Sequence, residues 1–345
     1  MSPPVDQACP VIVRVGAACP LGLTSLETAL CVRASKLEPR PTAFLDKRGR
    51  TVGASHARWL DAELAGFDRL VALGARALGE AAGELTEPAP LVLALPEAPR
   101  PDDDGRFGHE LVAALASASG ARLDLERSAV VRAGSAGFAV ALASATALLA
   151  SGAPAVLVGG LDSYIDPDVI RELDEQCRLH AEGTEDGIVP SEGAGFALLG
   201  TAPSLGRVAR AGAIATLAHV ATATEPPAGA DDAELAVGMT RALQEALGAR
   251  AHQGPIDWVL SDVNGEHHRV REWSTAEIRC GEVLAAARHD RLLGELGDVG
   301  AAAGALLLAI ACTYLRVGCA PARSALFVLS SEGPARGVFI VEAAP

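Results

Sequence analysis

The chain has 345 residues, half of them hydrophobic and 21% charged, which provides for a large buried core and is the opposite of a disordered composition. A formal charge of −14 and only 3% aromatic residues exclude a dedicated nucleic-acid binder, because phosphate contact needs a basic face and base stacking needs aromatic platforms. The same acidity argues against an anionic membrane surface as partner. Seven cysteines, an odd number with no CxxC pair, point to a reducing, cytoplasmic setting without structural zinc. The first ten residues lack a basic stretch leading into an apolar one, so no secretory leader is expected. The longest apolar stretch, residues 301–311, is too short to span a bilayer.

In chain order, residues 11–15 (VIVRV) read as a buried strand and 16–22 (GAACPLG) as a turn into a helix. Residues 67–82 carry helical apolar spacing, 91–95 (LVLAL) a short strand, and 96–108 a Pro/Asp-rich loop. A helix over 109–119 precedes a strand at 128–132 (SAVVR), a small-residue helix over 134–150, and strands at 155–158 and 194–199. Residues 207–220 read as a long strand, 224–232 (TEPPAGADD) as a linker or surface loop, and 231–249 as a helix. A strand at 258–261, a helix over 274–288, a second small-residue helix over 300–315 and closing strands at 325–329 and 338–341 complete the pattern. Strands alternating with helices imply an α/β protein with covered sheets. The order strand, tight turn, small-residue helix, strand occurs at 128–158 and, more loosely, at 297–329, which suggests a layered architecture with two related halves.

Several segments together resemble the β-ketoacyl synthases of the thiolase, or condensing-enzyme, superfamily. They are GAACPLG at 16–22, Asp68-Arg69 with Ala75, Ala77 and Leu78, VRAGSAGFAVAL at 131–142, Gly152 with Gly159-Gly160, and DGIVPSEGAG at 186–195. The resemblance implies a five-layered αβαβα fold with pseudo-repeated halves at 1–205 and 206–345. The two small-residue helices would lie at its centre, where Ala143→Phe would overpack. It also implies a two-fold homodimer in which strand 128–132 pairs with its symmetry mate. The alternative is a heterodimer with a related active synthase.

The family uses a cysteine nucleophile and two histidines that stabilise a thioester enolate. Carried over residue by residue, the cysteine position falls on Ser135, which a helix dipole would favour in an anionic form and which needs a base to react; a plain helix-capping serine is the other reading. The first histidine column falls on Glu266, with His267 reachable by a register shift. The second falls on Asp298, which could equally be a helix cap. Asn264 lies in the first of these segments and Phe138 in the nucleophile turn. Glu332 stands near the gating phenylalanine and Arg336 near the family's asparagine; all four are expected substrate contacts. Two carboxylates in place of two histidines would oppose an enolate, so condensation is not expected. Two functions remain open. One is an acyltransferase or hydrolase acting through Ser135 on an acyl thioester or acyl carrier protein. The other is a non-catalytic partner, of the chain-length-factor or scaffold kind. A P-loop, a GxGxxG turn and a His/Cys ligand set are lacking, so neither metal nor cofactor is expected.

Overall fold

The computed structural model of the chain describes residues 9–34, 39–83, 85–181, 184, 186–201, 204, 212–227, 235–250 and 254–344. Its strands are β1 (Val11–Ala18), β2 (Arg40–Leu45), β3 (Thr51–Ala54), β4 (Leu91–Leu95), β5 (Ala129–Arg132), β6 (Ala155–Ser163), β7 (Glu192–Gly200), β8 (Ala215–Thr224), β9 (Trp258–Ser261), β10 (Arg288–Asp290), β11 (Ser324–Ser330) and β12 (Ala335–Ala343). Its helices are α1 (Ser25–Ala34), α2 (Gly66–Ala82), α3 (His109–Ser119), α4 (Gly137–Ala150), α5 (Pro167–Glu175), α6 (Val237–Ala249), α7 (His267–Cys280), α8 (Leu293–Leu296) and α9 (Ala303–Arg316).

The sheet is a doubled motif. Its order is β10-β9-β11-β12-β8-β1-β7-β6-β4-β5, so the run β1-β7-β6-β4-β5 is matched strand for strand by β8-β12-β11-β9-β10. The pairing senses match as well: antiparallel for β1–β7 and β8–β12, then antiparallel for β7–β6 and β12–β11. Parallel pairing follows in β6–β4–β5 and β11–β9–β10. The runs meet through a brief β1–β8 ladder at Val11 and Ile12.

Period-two alternation builds three cores. Leu91, Leu93 and Leu95 face outward onto α2 and α3, whereas Val92 and Ala94 face inward onto α4. In the second run Leu326 and Val328 face α6 and α7, whereas Phe327 and Leu329 join the same inner core as Val92. The result is helix, sheet, helix, sheet, helix, the thiolase-like α/β arrangement.

The middle layer needs small residues. Every residue of α9 from Ala303 to Tyr314 is buried, and its near-continuous apolar composition is that of a helix enclosed on all sides. A Cβ on Gly195 would lie 2.5 Å from the Ala305 carbonyl carbon, and one on Gly160 2.5 Å from the Ala301 carbonyl oxygen. Only glycine on β6 and β7 lets α9 approach this closely. The other central helix is less enclosed. Ala143, Ala147 and Ala150 form an exposed stripe along α4, so Ala143→Phe would project outward instead of overpacking the interior.

Other expectations also shift. The helix expected over 274–288 begins at His267, because Val270, Trp273 and Ala276 repeat at helical spacing against the outer core. It ends at Cys280, where Gly281 turns with φ +73°, and residues 288–290 form the edge strand β10. The strand expected at 207–220 is β8; residues 207–211 lie outside the described residues, and the strand runs on to Thr224. Residues 228–232 of the expected loop and 231–234 of the expected helix also lie outside them. The helix expected after the turn at 16–22 is α1, although β1 runs on to Ala18; the hairpin β2–β3 and helix α5 were not expected. Helix α5 carries a local signal: the Asp166 side chain accepts from the Asp168 and Val169 amides, with Pro167 in the first turn. Among the described residues, no helix is long and apolar enough to cross a membrane.

The enclosure of α9 has a direct consequence. Ala305→Phe is expected to lower stability by about 1–3 kcal/mol or more through overpacking, read as the shift in a urea midpoint. An unchanged midpoint would contradict the packing of α9 against β6 and β7.

Candidate functional site

Ser135 sits in the turn between β5 and α4. Gly134 takes φ +62° there, and a Cβ on it would meet Glu97 Oε1 and Ser331 Oγ, both at 3.2 Å. The helix N-cap is Ala136, whose amide donates to Ser331 Oγ at 2.9 Å. Ser135 therefore does not cap the helix. Its hydroxyl donates to Asp262 Oδ2 at 2.5 Å, and both residues are buried.

Asp262 follows directly on β9. Its amide donates to the Val328 carbonyl, continuing the pairing with β11 and fixing its side chain at the strand ends. Oδ2 also accepts from the Ser330 amide at 2.8 Å, and Arg269 Nη1 from α7 lies 3.6 Å away. Burial pushes the Asp262 carboxyl up to about 6, against the opposing pull of Arg269 and of the two hydrogen bonds. The carboxyl is thus still mostly ionised at pH 7, with its titration moved toward neutrality.

Asp298 precedes the 3₁₀ turn Gly300–Ala302 that leads into α9. Its Oδ1 accepts from the Gly300 amide at 2.8 Å, and its Oδ2 accepts from Asn264 Nδ2 at 2.7 Å. The N-cap of that turn is Val299, so Asp298 accepts an amide beside it without capping it, and it faces the cavity; burial pushes its carboxyl up. Asn264 also donates to Glu266 Oε2 at 2.9 Å.

The reading of Glu266 as the base beside Ser135 is corrected: that place is taken by Asp262, four residues earlier. Arg178 grips Glu266 from Nε at 2.7 Å and Nη2 at 2.8 Å, and Glu266 does not line the cavity that Ser135 lines. His267 is corrected as well. Its side chain is 85% exposed and pairs with Asp186, because the start of α7 turns it to solvent.

Glu332 does line the cavity, bridging Arg178 at 2.9 Å and Arg269 at 2.5 Å. Burial alone would raise its carboxyl; the two guanidinium groups outweigh that and hold it at about 2. The other two expected substrate contacts are corrected. Phe138 is fully buried, edge-on to Phe339 at 5.8 Å between ring centroids, because its side of α4 packs into the inner core. Arg336 pairs with Glu272 and donates Nη1 to the Ser331 and Gly333 carbonyls, so it anchors the β11–β12 turn and does not line the cavity.

The cavity has a volume of about 340 Å³. Arg100 on its wall pairs with Asp162 at 2.9 Å and lies 3.2 Å from Asp102, whose carboxyl burial pushes up to about 6. Glu97, just past β4, accepts from the Gly333 amide at 3.0 Å on each oxygen. Asp262 was not singled out in the sequence as a site residue, nor were Glu97, Arg100 and Arg178. The position of Glu97 and Asp262 just beyond strand ends was the available signal.

Ligand atoms of Glu266, His268 and Glu332 lie within 4.8 Å of one another. Both carboxylates are already engaged by Arg178, so the group is part of an ion-pair network and does not offer a set of free metal ligands.

No family model and no curated protein matches the chain. Solved structures do. One, described as a type II polyketide synthase acyl-carrier protein in complex with its ketosynthase bound to the hexaketide, is similar over 98% of this chain and 100% of its own, with a TM-score of 0.80 at 17% identity. A ketosynthase from module 6 of the bacillaene synthase of Bacillus subtilis 168 is similar over 98% of this chain and 72% of its own, with a TM-score of 0.77 at 14% identity. The ishigamide ketosynthase/chain length factor is similar over 98% and 100%, with a TM-score of 0.71 at 20% identity. The chain has the ketosynthase-type, thiolase-like α/β fold.

Proposed function

We propose that the protein is a ketosynthase-like acyl-accepting enzyme that does not condense: Ser135 takes an acyl group from a thioester, with Asp262 as the base. The observation that carries this reading is the 2.5 Å hydrogen bond from the Ser135 hydroxyl to a carboxyl balanced at about 6. In the reaction, Asp262 takes the hydroxyl proton as Oγ bonds to the carbonyl carbon. The C–S bond then breaks, and the proton passes to the departing thiolate. The N-terminal end of α4 favours negative charge beside Ser135. A positioned base contributes roughly 10²–10⁴ in rate.

Condensation is disfavoured on electrostatic grounds. An enolate needs donors where its charge develops. Here Asp262 and Asp298 stand in the cavity wall, together with Glu97 and Glu332. A carrier-bound thioester as donor is supported by the carrier-protein complex among the similar structures. In this reading the halves divide between residues 205 and 206. The first contributes Ser135 and Glu97, and the second contributes Asp262, Asn264 and Asp298. Seven free cysteines are in keeping with a reducing, cytoplasmic setting.

Intact-protein mass spectrometry tests the reading. After incubation with an acyl thioester, the native chain is expected to gain one acyl group, Ser135→Ala none, and Asp262→Asn to acylate roughly 10²–10⁴ times more slowly. Below about pH 6 the native rate should fall about tenfold per pH unit, because the base is lost as Asp262 takes up a proton. An adduct retained by Ser135→Ala would overturn the assignment.

A second reading, a dimeric partner of the chain-length-factor kind, is favoured by a specific surface. Strand β5 is a sheet edge with Ala129 exposed, and the alanine stripe of α4 continues the apolar face beside it. An open apolar edge invites pairing. Both readings predict a two-fold dimer by light scattering at micromolar concentration, and Ala147→Glu should shift the mass to that of a monomer. If the native chain is monomeric, the partner reading survives only as a heterodimer, detected by co-purification with an active synthase.

A further inference from the structure

Only two of the 29 Lys and Arg residues are lysine, Lys36 and Lys47. Lys36 lies outside the described residues; Lys47 stands in the turn that joins β2 to β3, where the hairpin meets the end of α5. Asp46 ties that turn, its Oδ1 accepting from the Arg48 amide at 2.9 Å and from the Arg50 amide at 2.8 Å. The Lys47 amide donates to Asp174 Oδ2 at 2.6 Å, and its Nζ donates to the Asp174 carbonyl at 2.7 Å. These contacts hold Nζ 3.0 Å from Cys177 Sγ, across 130 residues of sequence. Both side chains are open to solvent and line a second cavity of about 320 Å³, whose wall also includes Arg50, His180 and Thr184.

The backbone does not call for these residue types. Cys177 has φ +58°, in the left-handed region where glycine or asparagine is the ordinary choice. A chain that meets nearly every other need for a cation with arginine places an amine against this thiol. A guanidinium would supply the same charge and hydrogen bonds without a nucleophilic nitrogen. The remaining cysteines are placed differently. Cys19 and Cys312 are buried, which pushes both thiols up, Cys312 to about 12. Among the described residues, no other cysteine lies against a lysine.

From this contact we infer an oxidative modification site: on exposure to a peroxide, Cys177 and Lys47 become joined through a single oxygen in a reversible S–O–N bridge. The separation of 3.0 Å is one that an intervening oxygen spans with little movement. The ammonium first gives a proton to water. One peroxide oxidises the thiol to a sulfenic acid: sulfur takes one oxygen, the O–O bond breaks and water leaves. A second peroxide oxidises the amine to a hydroxylamine in the same manner. The two hydroxyl groups then condense with loss of a third water. Sulfur and nitrogen each give up two electrons, two peroxides are reduced, and the chain gains one oxygen and loses two hydrogens. Two equivalents of a dithiol return the thiol, the amine and one water. The bridge fastens the hairpin β2–β3 to the residue before Arg178, which grips Glu266 and Glu332. The inference does not depend on the acyl-accepting reading.

Peptide mass spectrometry tests it. The full chain is treated with hydrogen peroxide under native conditions, alkylated and digested. The native chain is expected to yield a linked peptide joining Lys47 to Cys177, heavier than its two parts by about 14 Da, and to lose it after dithiothreitol. Cys177→Ser and Lys47→Arg should each abolish the linked peptide; the arginine keeps the charge, so its failure to link separates bond formation from contact alone. The linkage is read in the native chain, so the result stands if a variant fails to fold. Recovery of Cys177 only as alkylated thiol, as sulfinic or sulfonic acid or as a disulfide, with Lys47 unmodified, would overturn the inference, as would a linked peptide that survives Lys47→Arg.

Discussion

The whole architecture depends on how closely the buried helix α9 can lie against the sheet. Gly160 and Gly195 on β6 and β7 have no side chain where this segment crosses, and they are met by Ala301 of the 3₁₀ turn that leads into α9 and by Ala305 of α9 itself. That approach sets the thickness of the middle layer, and with it the meeting of elements far apart in sequence. The turn before α4 delivers Ser135, the end of β9 delivers Asp262, and the turn before α9 delivers Asp298. Ser135 and Asp262 are 127 residues apart yet share a hydrogen bond of 2.5 Å. A bulkier middle layer would separate them, and the Ser135–Asp262 hydrogen bond would be lost before the fold lost its topology.

The chemistry at that meeting point is dominated by carboxylates, and the fold accommodates them in two ways. Some are neutralised by arginine: Glu332 is held at about 2 between Arg178 and Arg269, and Asp162 pairs with Arg100. Others are left near neutrality by burial, as Asp262 and Asp102 are at about 6. Burying two charges is offset only where geometry and hydrogen bonding are good, and removing one partner leaves the other stranded. The arginines therefore hold the carboxylates in place while preventing the site from becoming strongly acidic throughout. A thiolate and an imidazole pair would need the reverse, a cavity tolerant of negative charge on the substrate.

Much of the fold was legible in the sequence. The apolar run LVLAL at 91–95 marked a short strand, and the small-residue helix over 300–315 was plain from composition. The start of α7 was obscured by the density of His, Arg and Glu between 266 and 272, although Val270, Trp273 and Ala276 carried the helical stripe. At the site, Ser135 followed from the resemblance, as the residue at the family's cysteine position. The choice of Glu266 over Asp262 came from the family's histidine column; the segment DVNGE offers a carboxylate at each end, and the strand read at 258–261 ends directly before the first of them. Pairing with β11 settles that point by holding Asp262 against Val328. Arg178 and Glu97 were invisible for another reason: their partners are distant in sequence. Arg178 meets Glu266 across 88 residues, and Glu97 meets Gly333 across 236.

The central claim is that a carboxyl balanced near neutrality faces the Ser135 hydroxyl. Carbon-13 NMR of the aspartate side-chain carboxyls, followed from pH 3 to 9, reads it directly. The account predicts two aspartate resonances titrating at about 6, those of Asp262 and Asp102, of which one is lost in Asp262→Asn and moves upward in Ser135→Ala, where the hydroxyl that favours the ionised form is removed. If the Asp262 resonance titrates near 4, in the ordinary aspartate range, or does not respond to Ser135→Ala, the buried pair described here is not the one the protein forms.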